Sequence, residues 1–168
     1  MSLLRLFRPL ARSSAAIVAG GFFALALLAK PVSAQLTLFS VAGGTITFPA
    51  PTAADYIAGF VNSTTGVTFT TNAVTGGSRT TTVAIRAIST TLGGTKAIGD
   101  LQWRRSDLAG WTPITTTNAQ VEQRVQVLNG ANDPWSNTVF FRMILNWATD
   151  PPATYSATYQ VTLTQTVP

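Results

Sequence analysis

The chain has 168 residues, of which 46% are hydrophobic and only 10% are charged, and its formal net charge is +5. It contains no histidine and no cysteine. This composition excludes catalysis by histidine or cysteine side chains, the common zinc sites built from those residues, and a fold that depends on disulfides.

Residues 1–34 have the three-part pattern of a secretory signal peptide. A basic start is followed by the apolar run 15–29 and by the small residues of Val32-Ser33-Ala34. The run has about 15 residues, whereas a membrane-spanning helix needs about 20. We therefore expect cleavage after Ala34 and a secreted protein, either extracellular or held at the cell surface, with the periplasm as the alternative.

Most of the positive charge belongs to this leader, which carries Arg5, Arg8, Arg12 and Lys30. All six acidic residues follow it, so residues 35–168 are nearly neutral. The high isoelectric point of the precursor is therefore no argument for nucleic-acid binding, and we expect no nucleic-acid partner.

Beyond the leader, apolar and polar residues alternate with a period of two, which is typical of half-buried strands. The strand candidates in chain order are 36–41, 45–48, 67–71, 83–87, 100–104, 112–116, 121–127, 139–147 and 155–163, with turn residues such as Gly43-Gly44 between them. A single short helical turn is predicted over 51–59, capped by Thr52 and ended by Gly59.

These elements predict an all-β domain over residues 35–168. About eight or nine short strands separated by turn signals are typical of an antiparallel, immunoglobulin-like β-sandwich. A small barrel is the alternative.

Candidate catalytic groups are few. Lys96 follows Gly93-Gly94-Thr95 and is interpreted as a solvated turn residue. Asp100 and Asp107 could in principle serve as a glycosidase pair, but both lie in turn contexts. We therefore predict a protein that is not an enzyme and uses no metal or cofactor.

Aromatic and arginine residues are the stronger signal for a ligand. Trp103 and Trp111 flank a short connection and are predicted to form a cross-strand pair, while Trp135 lies in a polar loop where it could stack on a sugar or plug the sandwich. Trp147 continues a strand pattern and is expected in the core. The candidate ligand-binding residues are Trp103, Arg104, Arg105, Trp111 and Trp135.

The first strand after the leader is a candidate for self-association. Leu36 and Leu38 begin an alternating pattern directly after the predicted cleavage site. An N-terminal strand in that position could complete the sheet of a neighbouring copy. The alternative is an ordinary first strand paired within its own domain.

The closing segment, from Pro151-Pro152 through Tyr155 and Tyr159 to Thr164, resembles the last strand of spore coat U-like pilin domains and of WxL-type cell-wall domains. That resemblance implies an immunoglobulin-like surface or fibre subunit of a bacterium. The function expected from the sequence is therefore a structural or interaction protein of the cell envelope, which would bind itself, other envelope components or a glycan. The alternative is a carbohydrate-binding module that uses exposed tryptophans.

Overall fold

The computed structural model describes residues 37–167, and it describes side chains from residue 43 onward. The predicted signal peptide, 1–34, and Leu36 lie outside the described residues. The elements are β1 Thr37–Phe48, α1 Ala53–Ala58, β2 Phe60–Asn62, β3 Val67–Thr70, β4 Arg79–Ala87, β5 Leu101–Arg105, β6 Thr112–Pro113, β7 Ala119–Gln126, β8 Ser136–Ile144 and β9 Tyr155–Thr166.

Two antiparallel sheets face each other. Sheet I has the order β1-β9-β4-β7, and sheet II has the order β2-β8-β5-β6, with β3 also paired to β8. The predicted all-β antiparallel sandwich is confirmed, and its nine strands agree with the expected number. Within the described residues, no helix is long and apolar enough to cross a membrane.

The strand order within this sandwich is that of a jelly roll. β2 pairs with the end of β8, and β3 pairs with its beginning, so the two behave as one interrupted strand. The sheets then contain four strands each, and every connection except β2–β3 and β5–β6 passes from one sheet to the other. This is the two-Greek-key arrangement of jelly-roll domains.

The core lies between the two sheets and follows from the period-two pattern. Along β9, every second residue from Tyr155 to Leu163 is buried. Phe141 of β8 reaches across to Tyr159 of β9, with 5.3 Å between the ring centroids. Alternation along each strand thus places one face in the core and leaves the other face available for function.

The predicted break at Gly43-Gly44 is wrong, because both glycines lie inside the continuous strand β1. Gly44 lies opposite Tyr159. A side chain at Gly44 would meet the phenol, since its Cβ would stand 2.7 Å from Tyr159 Oη. The glycine therefore leaves room for a cross-strand aromatic ring and does not mark a turn.

Candidate functional site

The outer face of sheet II carries a mixture of arginine and aromatic side chains. Along β8, Val139, Phe141 and Met143 are buried. The alternate residues, Phe140, Arg142 and Ile144, point away from the core and are only half-buried. Arginine and aromatic residues from neighbouring segments lie beside them, and together these side chains line a cleft.

The cleft lies around Trp111 and has a volume of about 330 Å³. We call it the Trp111 cleft, and its lining residues are Phe60, Asn62, Ser63, Arg104, Trp111, Phe140, Phe141 and Arg142. The guanidinium carbons of Arg104 and Arg142 lie 5.0 and 4.6 Å from the centroid of the Trp111 ring. Both distances are within the range of cation–π attraction.

The two guanidinium groups also contact further rings, Arg104 at 5.7 Å from Phe140 and Arg142 at 5.3 Å from Phe60. Their hydrogen bonds go to neutral acceptors: Arg104 Nη1 donates to the Leu108 carbonyl at 2.9 Å, and Arg142 Nε donates to Gln102 Oε1 at 2.8 Å. Within the described residues, neither arginine has a carboxylate oxygen within 4.0 Å. The cleft therefore holds two uncompensated positive charges.

Arg105, the neighbour of Arg104, has a different environment. Its guanidinium forms an ion pair with Asp107 and lies 3.6 Å from Glu122. The hydrogen bond from Arg105 holds the pKa of Asp107 down to about 2, although burial opposes this. Of these two candidate ligand-binding residues, only Arg104 keeps its charge available to a ligand.

A second surface feature lies at the end of β8, where Trp147 is 63% exposed. One face of its ring stacks on Tyr56 of α1, with centroids 4.1 Å apart and an interplanar angle of 27°. An open cleft of about 460 Å³ lies beside it, which we call the Trp147 cleft. Its polar lining includes Asp100, Asn146 and Thr149.

A buried ion pair fixes the loop that carries Trp147. Lys96 Nζ lies 2.6 Å from Asp150 Oδ2, and the two side chains are 4% and 6% exposed. Asp150 Oδ2 also accepts the backbone N–H of Asn146 at 2.8 Å, and Tyr56 Oη donates to the Asp150 carbonyl at 2.5 Å. Burial raises the pKa of Asp150, but the hydrogen bonds from Lys96 and Asn146 outweigh burial, so the pKa is lowered overall.

This ion pair corrects the interpretation of Lys96 as a solvated turn residue. The residue is only 7% exposed, and its ammonium group is shared between Asp150 and Asp100. Its position after Gly93-Gly94-Thr95 gave no sign of burial. The partner, Asp150, lies 54 residues further along the chain.

Trp103 and Trp135 are both buried, at 6% and 5% exposure, so they do not present their rings to a ligand. Trp135 packs against Phe69 edge to face, as expected for the alternative in which it plugs the sandwich. Each indole Nε1 is buried without a hydrogen-bond partner in the described part of the chain.

The predicted pairing of Trp103 with Trp111 is wrong, because Trp103 lies opposite Thr112. Trp103 points into the core, whereas Trp111 lies against Arg104 on the outer face of sheet II.

The expectation of a core position for Trp147 is also wrong. β8 ends at Ile144, and a turn follows in which Asn146 Oδ1 accepts the Ala148 N–H at 2.9 Å. The alternating pattern of the sequence continues beyond the strand, but the backbone does not continue in extended form. Trp147 is therefore carried out of the sandwich and onto α1.

The predicted self-association strand is paired within its own chain. β1 runs antiparallel to β9 along its whole length, with Leu38 opposite Thr164. This corresponds to the alternative of an ordinary first strand. Leu36 lies outside the described residues.

The acidic residues of the described chain form no metal site. Over residues 37–167, no group of three acidic residues is placed to hold a metal ion. The pair considered for glycoside hydrolysis is held in separate ion pairs, Asp100 with Lys96 and Asp107 with Arg105.

Comparison with known proteins yields no assignment: no protein family matches the sequence, and no curated protein is similar to it.

Proposed function

We propose that residues 35–168 form an exported, non-catalytic interaction protein of the bacterial cell envelope that binds a carbohydrate. The observation that carries the proposal is the exposed ring of Trp147, held flat on Tyr56 beside an open polar cleft. Both faces of an indole ring are apolar. Because one face is occupied by Tyr56, the other is left to solvent.

A flat aromatic ring next to hydroxyl, amide and carboxylate groups matches the chemistry of a sugar. The apolar C–H face of a pyranose ring can stack on indole, and the sugar hydroxyls can bond to neighbouring polar groups. Asn146 and Thr149, both exposed, and Asp100 supply such groups around Trp147. The buried Lys96–Asp150 pair fixes the loop, which reduces the entropy lost when the ligand binds.

The test is glycan binding by purified residues 35–168 on an array of bacterial and plant glycans, followed by titration of Trp fluorescence with the best ligand. We expect Trp147→Ala to weaken binding roughly tenfold or more, since the contact of a large aromatic ring is lost. Trp147→Phe should retain part of the affinity because it keeps a planar ring.

Ile57→Ala is the matched control, because Ile57 is 83% exposed on the neighbouring helix but has no aromatic ring. It should leave affinity unchanged. If the wild type and Trp147→Ala bound every glycan with equal affinity, the site at Trp147 would be contradicted. If the protein bound no glycan on the array, the proposed function would be contradicted.

Self-association is the second candidate, and the position of β1 favours it. β1 is twelve residues long and lies at the edge of sheet I, with β9 as its only strand partner in the described part of the chain. A long strand edge with free N–H and C=O groups can pair with another copy. A fibre or surface subunit could thus assemble without releasing β1 from its own sheet.

A further inference from the structure

We infer that the Trp111 cleft is a second binding subsite and that it accepts the carboxylate of an acidic saccharide. The inference rests on the proposed glycan binding, and it adds the ligand's charge and a second contact surface. It follows from the distribution of charge, the orientation of two arginines, and the course of β8.

The distribution of charge sets this cleft apart. Three of the cationic side chains in the described residues, Lys96, Arg105 and Arg124, lie within 4.0 Å of a carboxylate oxygen. The arginines without such a partner are Arg79, Arg86, Arg104 and Arg142. Two of these four converge on one indole ring, so positive charge is concentrated at Trp111.

The arginines of the cleft are also held in place. The guanidinium group of Arg104 contacts the rings of Trp111 and Phe140, and that of Arg142 contacts the rings of Trp111 and Phe60. These contacts limit the movement of the two guanidinium groups, and the donors left for a ligand are on their Nη atoms. Arg104 Nε is itself buried without a hydrogen-bond partner in the described part of the chain, so a ligand in the cleft would meet the Nη atoms and not Nε. A planar carboxylate is the acceptor that matches the guanidinium fork.

The course of β8 favours a saccharide chain as the source of that carboxylate. Arg142 lines the Trp111 cleft, and Ile144, two residues further on the same outward face, lines the Trp147 cleft. Two strand residues span about 7 Å. The two clefts therefore adjoin along sheet II, and one extended oligosaccharide could place a neutral ring at Trp147 and a uronate at Trp111.

The experiment is affinity electrophoresis of residues 35–168 in gels that contain hyaluronate, heparosan or gellan, in which neutral sugars separate the uronates. The carboxyl-reduced form of each polymer, in which every carboxylate has become a primary alcohol, provides the matched neutral ligand. We expect at least one native polymer to retard the protein with at least tenfold higher affinity than its reduced form. Arg104→Gln/Arg142→Gln should remove that difference.

Arg79→Gln/Arg86→Gln is the matched control. It removes the same charge from the two other arginines without carboxylate partners, one of which, Arg86, donates to Gln160 as Arg142 donates to Gln102. This control should keep the preference for the native polymer, and thermal unfolding should show that both double variants are folded.

Two outcomes would overturn the inference. Equal retardation by native and reduced polymers would remove acid recognition while leaving glycan binding intact. Equal loss of affinity in the two double variants would show a general charge effect and no subsite at Trp111. If the protein bound no polymer in either form and no glycan on the array, the result would instead count against the proposed function itself.

Discussion

Among single residues, Asp150 contributes to the stability of the fold and also fixes the loop of the Trp147 cleft. Its carboxylate accepts one hydrogen bond from the ammonium group of Lys96 and another from the backbone N–H of Asn146, in the loop that carries Trp147. Lys96 and Asp150 are both almost fully buried. Removing one partner of such a pair leaves the other charge without compensation, which is far more costly than losing an exposed ion pair.

We expect Asp150→Asn to lower the free energy of unfolding by about 3 kcal/mol at pH 7. Because the pKa of Asp150 is lowered in the folded state, its contribution is present above the unfolded-state pKa of about 4 and is lost as the pH falls through the folded-state pKa. Urea unfolding of the wild type and the variant from pH 7 to pH 2 measures both effects. The variant should lose less stability in acid than the wild type.

Asp100→Asn is the control for this prediction, since Asp100 also pairs with Lys96 but its side chain is 42% exposed. It should cost much less at pH 7. If Asp150→Asn and Asp100→Asn were equally stable, the buried pair would not be the group that fixes the Trp147 loop.

At the level of elements, α1 is the helix that supports Trp147 through Tyr56. The helix begins with a capping box in which Asp55 N–H donates to Thr52 Oγ1 at 3.3 Å and Thr52 N–H donates to Asp55 Oδ2 at 2.7 Å. It ends at Gly59, whose φ of 78° is in the left-handed region. The predicted cap and stop are confirmed, because both depend on residues close together in the sequence.

We expect Thr52→Ala to reduce the free energy of unfolding by about 1 kcal/mol, because it removes the side-chain acceptor of the helix N-terminus. Thr52→Ser retains the hydroxyl and should remain within a few tenths of a kcal/mol of the wild type. Urea unfolding compares the two variants. A Thr52→Ser variant as unstable as Thr52→Ala would assign the loss to the methyl group and not to the cap.

For the whole molecule, the jelly-roll arrangement determines which edges are open. Sheet I ends in β1 and β7, and β1 presents twelve residues along one edge. On its solvent-facing side, Thr45 and Thr47 are exposed and uncharged. Natural sheets commonly protect an edge of this kind with a lysine, and β1 contains none.

The self-association candidate predicts ordered oligomers of residues 35–168 in light scattering and negative-stain microscopy. Thr47→Lys should disperse them, because a charge on the edge strand opposes pairing with a second copy. Thr65→Lys, in an exposed loop away from β1, should leave assembly unchanged. A monodisperse monomer at all concentrations would remove this candidate and leave glycan binding as the sole proposal.

The sequence by itself determined the local features of this protein. The period-two pattern identifies the strands and, in β9, the buried face, and short-range capping chemistry identifies α1. In β7 the alternation gives the wrong face, because Val125 is exposed and Gln126 is buried. Both the alternation and the cap depend on residues only two or three positions apart in the sequence. The residue types that are present, with no histidine or cysteine, also limit the chemistry of any site.

The tertiary structure alone decided which aromatic and charged residues reach solvent. Trp103 lies in β5 and Trp111 directly precedes its partner strand β6, yet Trp103 is in the core and Trp111 is on the outer face of the sheet. Lys96 is buried by Asp150 from a distant loop, and Trp147 leaves the core because its strand ends early. These outcomes depend on register, on strand ends and on contacts between distant segments, which local alternation does not specify.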